Sequence, residues 1–186
     1  MSPQRSNRSQ LIEGTLRCLE RLPPEQVTAR AIAAESGANL ASIAYHFGSK
    51  DDLVTTAVIE GLDRWLAEVD RALAAVPAQR FLRAAEVIER TRRRHEGLAR
   101  HFLGALARAQ HDARVGALLT EGFRHTRPNL AAVLGLGDDQ TGLDAAGLVH
   151  SMFVGLLFQQ LLDPELGIEG DRLEHAAVRL SRILPG

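Results

Sequence analysis

The stretch VTARAIAAESGANLASIAYHFGSK, Val27 to Lys50, decides how this chain is read. It holds two short helical segments around one tight turn. Thr28 is a good N-cap residue, so a helix starts behind it and carries Ile32 and Ala33 inward. Ser36-Gly37-Ala38 ends that helix, with Gly37 supplying the positive φ that a tight turn needs. A second helix runs from Asn39 or Leu40 to His46, and Gly48-Ser49 is the next break. Ala33 and Ala34 are small enough for the two helices to cross closely. Ile32, Ile43 and Phe47 are the apolar anchors of the corner. The second helix then offers Asn39, Leu40, Ala41, Ser42 and Tyr45, short or polar side chains of the kind a major groove admits. This is the pattern of a helix-turn-helix spanning about 28–47. A bare pattern of this sort also describes a structural helix corner.

Working outward, a first helix covers about Ser6 to Leu22, with Ile12, Leu16 and Leu19 on one face and Pro23-Pro24 as its stop. Downstream, Ser49-Lys50-Asp51-Asp52 opens a long helix with a near capping box and two acids at its positive end. It reaches about Val76, with Leu62, Leu66, Val69 and Leu73 as its stripe, and Pro77 ends it. Further helices are expected at Gln79–Glu96, Leu98–Gln110, Asp112–Leu134 (with Pro128 as a kink point), Gln140–Leu162 and Asp171–Leu184, with a loop at Gly135–Asp139. Ala, Leu, Arg and Glu dominate, and no alternating β-branched run appears, so the fold class is all-α. The organisation expected is a DNA-reading domain at 1–50 and a larger helical domain at 51–186.

Composition excludes several classes. With 45% apolar residues in 186, the chain can build a core. One cysteine, Cys18, excludes a disulfide framework, and no Cys/His set has zinc spacing. His95, His101, His111, His125 and His150 contain no i, i+4 pair with a nearby carboxylate, so no metal and no cofactor is expected. The polar N-terminus is unlike a signal peptide, and the apolar run Gly147–Leu162 reads as too short and too polar to span a membrane. A cytoplasmic protein is expected.

The 22 basic and 23 acidic residues give a net charge of -1, which as an average speaks against nucleic acid. Its distribution speaks otherwise. Residues 1–50 hold six basic against four acidic residues, whereas 138–175 hold eight acids against Arg172. The first ten residues carry Arg5 and Arg8 and no acid, which suits either a groove-reaching arm or a disordered terminus. The run Arg92-Arg93-Arg94-His95 reads as a solvated helix face. All basic residues but Lys50 are arginines.

Tyr45-His46-Phe47-x-Ser49-Lys50-x-x-Leu53, following a helix-turn-helix, resembles the TetR family of bacterial transcriptional regulators. The resemblance covers roughly residues 8–60. Ala38 stands where valine is commoner, and Ala44 where the family often has an aromatic. The resemblance implies that Thr28 caps the first helix of the motif and meets a phosphate. It places Tyr45 and His46 near the DNA backbone and Lys50 on a phosphate. Base reading falls to Asn39, Leu40, Ala41 and Ser42, with Arg30 beside them. Such side chains offer little bidentate readout, so groove shape contributes to specificity. Taken singly, Tyr45 also reads as a core tyrosine, His46 as a structural histidine and Lys50 as a plain surface charge.

In the C-terminal part, Gly147, Ser151 and Gly155 recur every four residues in a helix that is apolar nearly all round. Such a helix needs two burial partners, the chain's own core and a second subunit. The expected homodimer interface therefore holds Gly147, Ser151, Gly155, Ala176 and Leu180 in a twofold four-helix arrangement. Candidate residues for a small-molecule effector pocket are His101, Phe102, Leu106, Phe123, Met152, Phe153, Phe158 and Gln159. Each also reads as plain core. The leading reading is a ligand-released repressor of a palindromic double-stranded operator, with coupling through the long helix that opens at Lys50. The rivals are a helical protein-interaction module without DNA affinity and a small helical enzyme. No nucleophile–base pair or paired carboxylate set supports the enzyme.

Overall fold

The computed structural model describes residues 7–73, 80–168 and 170–182. Among these residues the fold is all-α, with eight helices: α1 Asn7–Arg21, α2 Ala29–Ser36, α3 Ala41–Phe47, α4 Lys50–Leu73, α5 Arg80–Ala109, α6 Ala113–Leu134, α7 Gln140–Leu162 and α8 Asp171–Ser181. Short 3-10 turns lie at Pro24–Gln26 and Pro164–Leu166. Arg5, the helix end expected at Val76-Pro77, the start at Gln79, and Ile183-Leu184 lie outside the described residues. The chain forms two compact units: residues 1–65 with 94–125, and 66–93 with 126–186.

The caps behave as local chemistry dictates. Thr28 Oγ1 accepts the Ala31 amide at 3.1 Å, and Ser49 Oγ accepts that of Asp52 at 3.0 Å. Asp112 Oδ1 accepts the Arg114 amide at 2.9 Å and the Val115 amide at 3.2 Å, opening α6. Asp139 Oδ1 accepts the Gly142 amide at 2.8 Å, opening α7.

Two sequence expectations are corrected. The helices expected at Gln79–Glu96 and Leu98–Gln110 are one helix, α5, which runs through Gly97. That glycine is not a breaker. A Cβ built there would overlap the Leu19 carbonyl, so Gly97 is where α1 and α5 touch backbone to backbone. Gly14 plays the same part between α1 and α2, where a Cβ would overlap Ser36. The second correction concerns α7. It is 23 residues long, and by length and composition it is apolar enough to cross a membrane, unlike the shorter run Gly147–Leu162 considered alone. Only 11% of its most apolar 18-residue stretch is buried within the chain.

In the first unit, Leu11, Leu19, Ile32, Leu53 and Val58 are fully or nearly fully buried, and Ile43 and Phe47 seat α3 on them. Arg17 Nε donates to Glu35 Oε1 at 2.7 Å and its Nη2 to the Glu35 carbonyl at 2.7 Å, tying α1 to the end of α2. That guanidinium holds the Glu35 carboxyl below the usual range. In the second unit, Val69, Leu73, Ala84, Leu130, Ala131, Ala146 and Leu173 form the core. Arg80 Nη1 donates to the Val133 carbonyl at 2.7 Å, satisfying one of the last carbonyls of α6.

Candidate nucleic-acid interface

The α2–turn–α3 corner is built as its residues require. Gly37 ends α2 at φ 67°, the left-handed conformation an L side chain resists. The turn is closed by Ser36 Oγ, which accepts the Ala38 amide at 3.3 Å, and by Asn39 Oδ1, which accepts the Ala41 amide at 3.0 Å. Asn39 therefore spends its side-chain carbonyl on opening α3. Its amide donors remain for another partner.

α3 buries Ile43 and Phe47 and turns its other face out. Tyr45 is 85% exposed, which excludes the core reading for its ring. Its edge meets His46 at a centroid distance of 4.8 Å. Asn39, Ala41, Ser42, Tyr45 and His46 share one shallow surface depression with Asn7 at the start of α1. Leu40 is 45% exposed beside them. Thr28, the cap of α2, and Arg30 on α2 are exposed. Lys50, half-buried at the first turn of α4, is paired with Asp51 at 2.7 Å.

Sequence reasoning missed Asn7 and Arg114 here, and read Arg8 as part of an arm or a disordered terminus. Asn7 joins the depression. Arg8 belongs to α1, with its guanidinium carbon 5.3 Å from the Phe47 ring centroid, so it packs on the anchor of α3 instead of forming a free arm. Arg114 of α6 donates to the Phe47 carbonyl at 3.2 Å and pairs with the buried Asp52 carboxylate at 3.1 Å. It thus caps the C-terminal end of α3 and ties it to the first turn of α4. Its guanidinium lies where a side chain at Gly48 would stand, and Gly48 has φ 83°. Phe47 lies 39 residues from Arg8 and 67 from Arg114, so no local signal marks either arginine.

Of the expected effector residues, His101, Phe102, Leu106 and Phe123 belong to the first unit, and Met152, Phe153, Phe158 and Gln159 to the second. Phe102 and Phe123 form an edge-to-face pair at 6.1 Å. His101 is buried, and desolvation, followed by the charges of Arg108 and Lys50, lowers its pKa to about 4. Burial and Arg127 also lower that of His150. Of the second group, Phe153 lines a cavity of about 240 Å³ with Leu82, Leu156, Leu157 and Leu173, rimmed by Glu86, Glu89, Asp171 and Glu174. Met152 is 39% exposed instead. Arg92 is not part of a free basic face: it pairs with Glu89 at 3.2 Å.

The residues expected at a subunit interface differ among themselves. α7 has two stripes. Gly142, Ala146 and Gln160 are buried, whereas Leu148, Ser151, Met152, Gln159 and Leu162 are exposed. Leu148 is 70% and Leu162 85% exposed, both apolar. Gly155 lies on the outer stripe with open space where its Cβ would be, but Gly147 packs against Arg127 of its own chain. On α8, Ala176 is exposed beside Val178 at 52%, and Leu180 is half-buried.

Comparison with known proteins places this geometry. Residues 11–57 match the family model described as bacterial regulatory proteins, tetR family. Among curated proteins none matches the chain. Solved structures share the fold over nearly the whole length. The multidrug binding protein EbrR complexed with imidazole superposes with a TM-score of 0.68 at 23% identity, covering 98% of this chain and 97% of that one. A TetR transcription regulator from Haloarcula marismortui gives 0.63 at 18% identity, with 95% of each chain covered. A protein from Saccharomonospora viridis, described as a transcriptional regulator in complex with choline, gives 0.53 at 23% identity over 84% of this chain and 85% of that one. At these identities the structural likenesses establish the fold.

Proposed function

We propose that this chain, whose residues 11–57 match the family model of bacterial regulatory proteins, tetR family, is a sequence-specific DNA-binding transcriptional repressor. It acts in the cytoplasm as a homodimer on a palindromic double-stranded operator and is released by a small molecule. Its two functional parts are the reading domain at 1–50 and the effector and dimer domain at 51–186. The observation that carries this reading is Tyr45: a large aromatic 85% exposed, lining the same surface depression as Asn39, Ala41 and Ser42, with no role in the core.

Tyr45, His46 and Thr28 position the protein on the phosphates, and α3 lies in the major groove. Lys50 exchanges Asp51 for a phosphate, aided by the positive end of α4. Asn39 donates to a base edge, while Leu40 and Ala41 offer apolar contact to thymine methyls. Arg114 keeps α3 at its angle to α4. The dimer forms on the outer stripe of α7, with Leu148, Ser151, Met152, Gly155 and Leu162, and on Ala176 and Leu180 of α8. The second copy, not lipid, covers these apolar groups. Support for a small-molecule effector comes from the relatives solved with imidazole and with choline.

Selection from a random duplex library tests the reading. The full chain is expected to enrich one twofold-symmetric site whose half-sites lie roughly 34–36 Å apart, one turn of DNA. Retention of no duplex, together with capture of a protein partner through α7, would favour the interaction module instead.

A further inference from the structure

The acidic stretch at 138–175, eight acids against Arg172, would repel DNA and calls for another role. Two of its members, Asp171 and Glu174, border the cavity of about 240 Å³ in the second unit. Two helix faces wall that cavity. Leu82, Ala85, Glu86 and Glu89 stand at positions i, i+3, i+4 and i+7 of α5, and Phe153, Leu156, Leu157 and Gln160 at the same spacing of α7. Gln160 Nε2 donates to Glu89 Oε2 at 3.4 Å, which ties the two walls together. Ile168, before α8, and Leu173, within it, add apolar lining. All these residues belong to one compact unit. The α7 face that they use is not the outer stripe with Leu148, Ser151 and Leu162.

Charge and size decide what fits. The lining holds Glu86, Glu89, Asp171 and Glu174 against Arg83. Arg83 pairs with Glu86 at 2.8 Å, and Arg92, from outside the lining, pairs with Glu89 at 3.2 Å. The charges of Asp171 and Glu174 are left over. The N-terminus of α8 offsets roughly half a charge of them, so the surroundings keep a net charge between roughly −1 and −2. A bare metal ion is poorly served. Among the described residues no three acidic, histidine or cysteine side chains stand close enough to hold one, and most of the wall is hydrocarbon. An organic cation is served at both ends. Its apolar body lies on Leu156 and Leu157. Phe153, its ring centroid 5.6 Å from that of Phe81, adds an aromatic face of the kind that attracts cations. The volume falls below the roughly 300–1,000 Å³ of sites for drug-sized molecules, so the occupant is small. We propose that this cavity is the effector site and that it takes a small organic ammonium ion, with the charged head at Asp171 and Glu174 and the apolar part against α5 and α7. The word effector rests on the regulator reading; the site itself is tested without DNA. α5 is one helix from Arg80 to Ala109, and from Arg94 on it belongs to the first unit, so an occupant in contact with Leu82 and Ala85 acts on a helix that both units share.

The experiment is isothermal titration calorimetry of the full-length chain with benzyltrimethylammonium chloride. Benzyl alcohol and sodium benzoate serve as the neutral and anionic counterparts, all at matched ionic strength. Saturable binding of the cation is expected with a Kd on the order of 0.1–1 mM, the range for a ligand of this size. Benzyl alcohol is expected to bind at least about tenfold more weakly, and benzoate not measurably. Asp171→Asn combined with Glu174→Gln should weaken the cation about three- to tenfold and leave benzyl alcohol unchanged, a split that a merely structural role would not produce. Ala85→Leu, whose longer side chain fills the cavity, should abolish binding while helix content by circular dichroism stays the same. Absence of saturable cation binding to the wild-type chain overturns the proposal. So does binding of benzyl alcohol or benzoate as tight as that of the cation, or wild-type affinity in the folded double variant. Operator binding is assayed separately: a chain that binds its operator but no cation loses only this site, and a chain that binds the cation but no duplex keeps the site and loses the regulator reading.

Discussion

Gly97→Ala is expected to lower the stability of the chain by about 2–3 kcal/mol, although glycine to alanine inside an exposed helix normally adds about 1 kcal/mol. The sign reverses because the added methyl would overlap the Leu19 carbonyl, a backbone atom that cannot swing aside. α1 and α5 must then separate, and Leu11, Leu19, Leu98 and Ala99, all buried, lose their packing. Thermal unfolding measured by circular dichroism should show a midpoint lower by about 5–10 °C for a chain of this size. Gly116→Ala is the control. Its Cβ would meet only ordinary contacts at 3.6 Å and beyond, so it should leave the midpoint unchanged or slightly raised. Equal midpoints for Gly97→Ala and the wild type would show that the two helices are not in backbone contact.

Leu148→Glu is expected to separate the dimer and, with it, most operator affinity. Leu148 is 70% exposed in the single chain, so a carboxylate there costs the fold little. In a twofold interface the same change buries two like charges close to each other, which costs several kcal/mol. Sedimentation velocity at micromolar concentration should show a dimer for the wild type and a monomer for the variant, with unchanged helix content. A monomer engages one half-site and loses the advantage of linked heads, a factor on the order of 10²–10⁴. A wild-type monomer, or a Leu148→Glu dimer with full affinity, would remove α7 from the account of assembly.

How much of this was legible in the sequence depends on the range over which each feature is decided. Thr28, Gly37 and Ser49 act within a few residues, through a cap, a left-handed turn and a second cap, so the reading corner could be placed from the chain alone. The ends of α7, at Gln140 and Leu162, could be read the same way. Gly97 was misread because a glycine that breaks a helix and one that lets another backbone approach look alike locally. Only Leu19, far away in sequence, tells them apart. Arg114 left no trace because its partners, Phe47 and Asp52, lie more than sixty residues earlier. The effector candidates fell into two units because apolar periodicity reports burial and not which neighbour does the burying. His101 was recognisable as a buried polar group in prospect. The expectation that α7 is buried on every side held for one stripe. The other stripe, with Leu148 and Leu162, is open in the single chain.

The average charge first spoke against nucleic acid, and the central claim is that the surface around Tyr45 and Lys50 reads duplex DNA nonetheless. The most direct test is fluorescence anisotropy of a labelled duplex drawn from the DNA flanking the chain's own gene, titrated across a range of salt concentrations with wild type, Lys50→Ala and Tyr45→Ala. Sequence-selective binding that weakens steeply with salt is predicted. Each half of the dimer should lose about one unit of the log–log salt slope in Lys50→Ala, and Tyr45→Ala should bind at least about tenfold more weakly. No binding at any salt, or two variants indistinguishable from wild type, would contradict it.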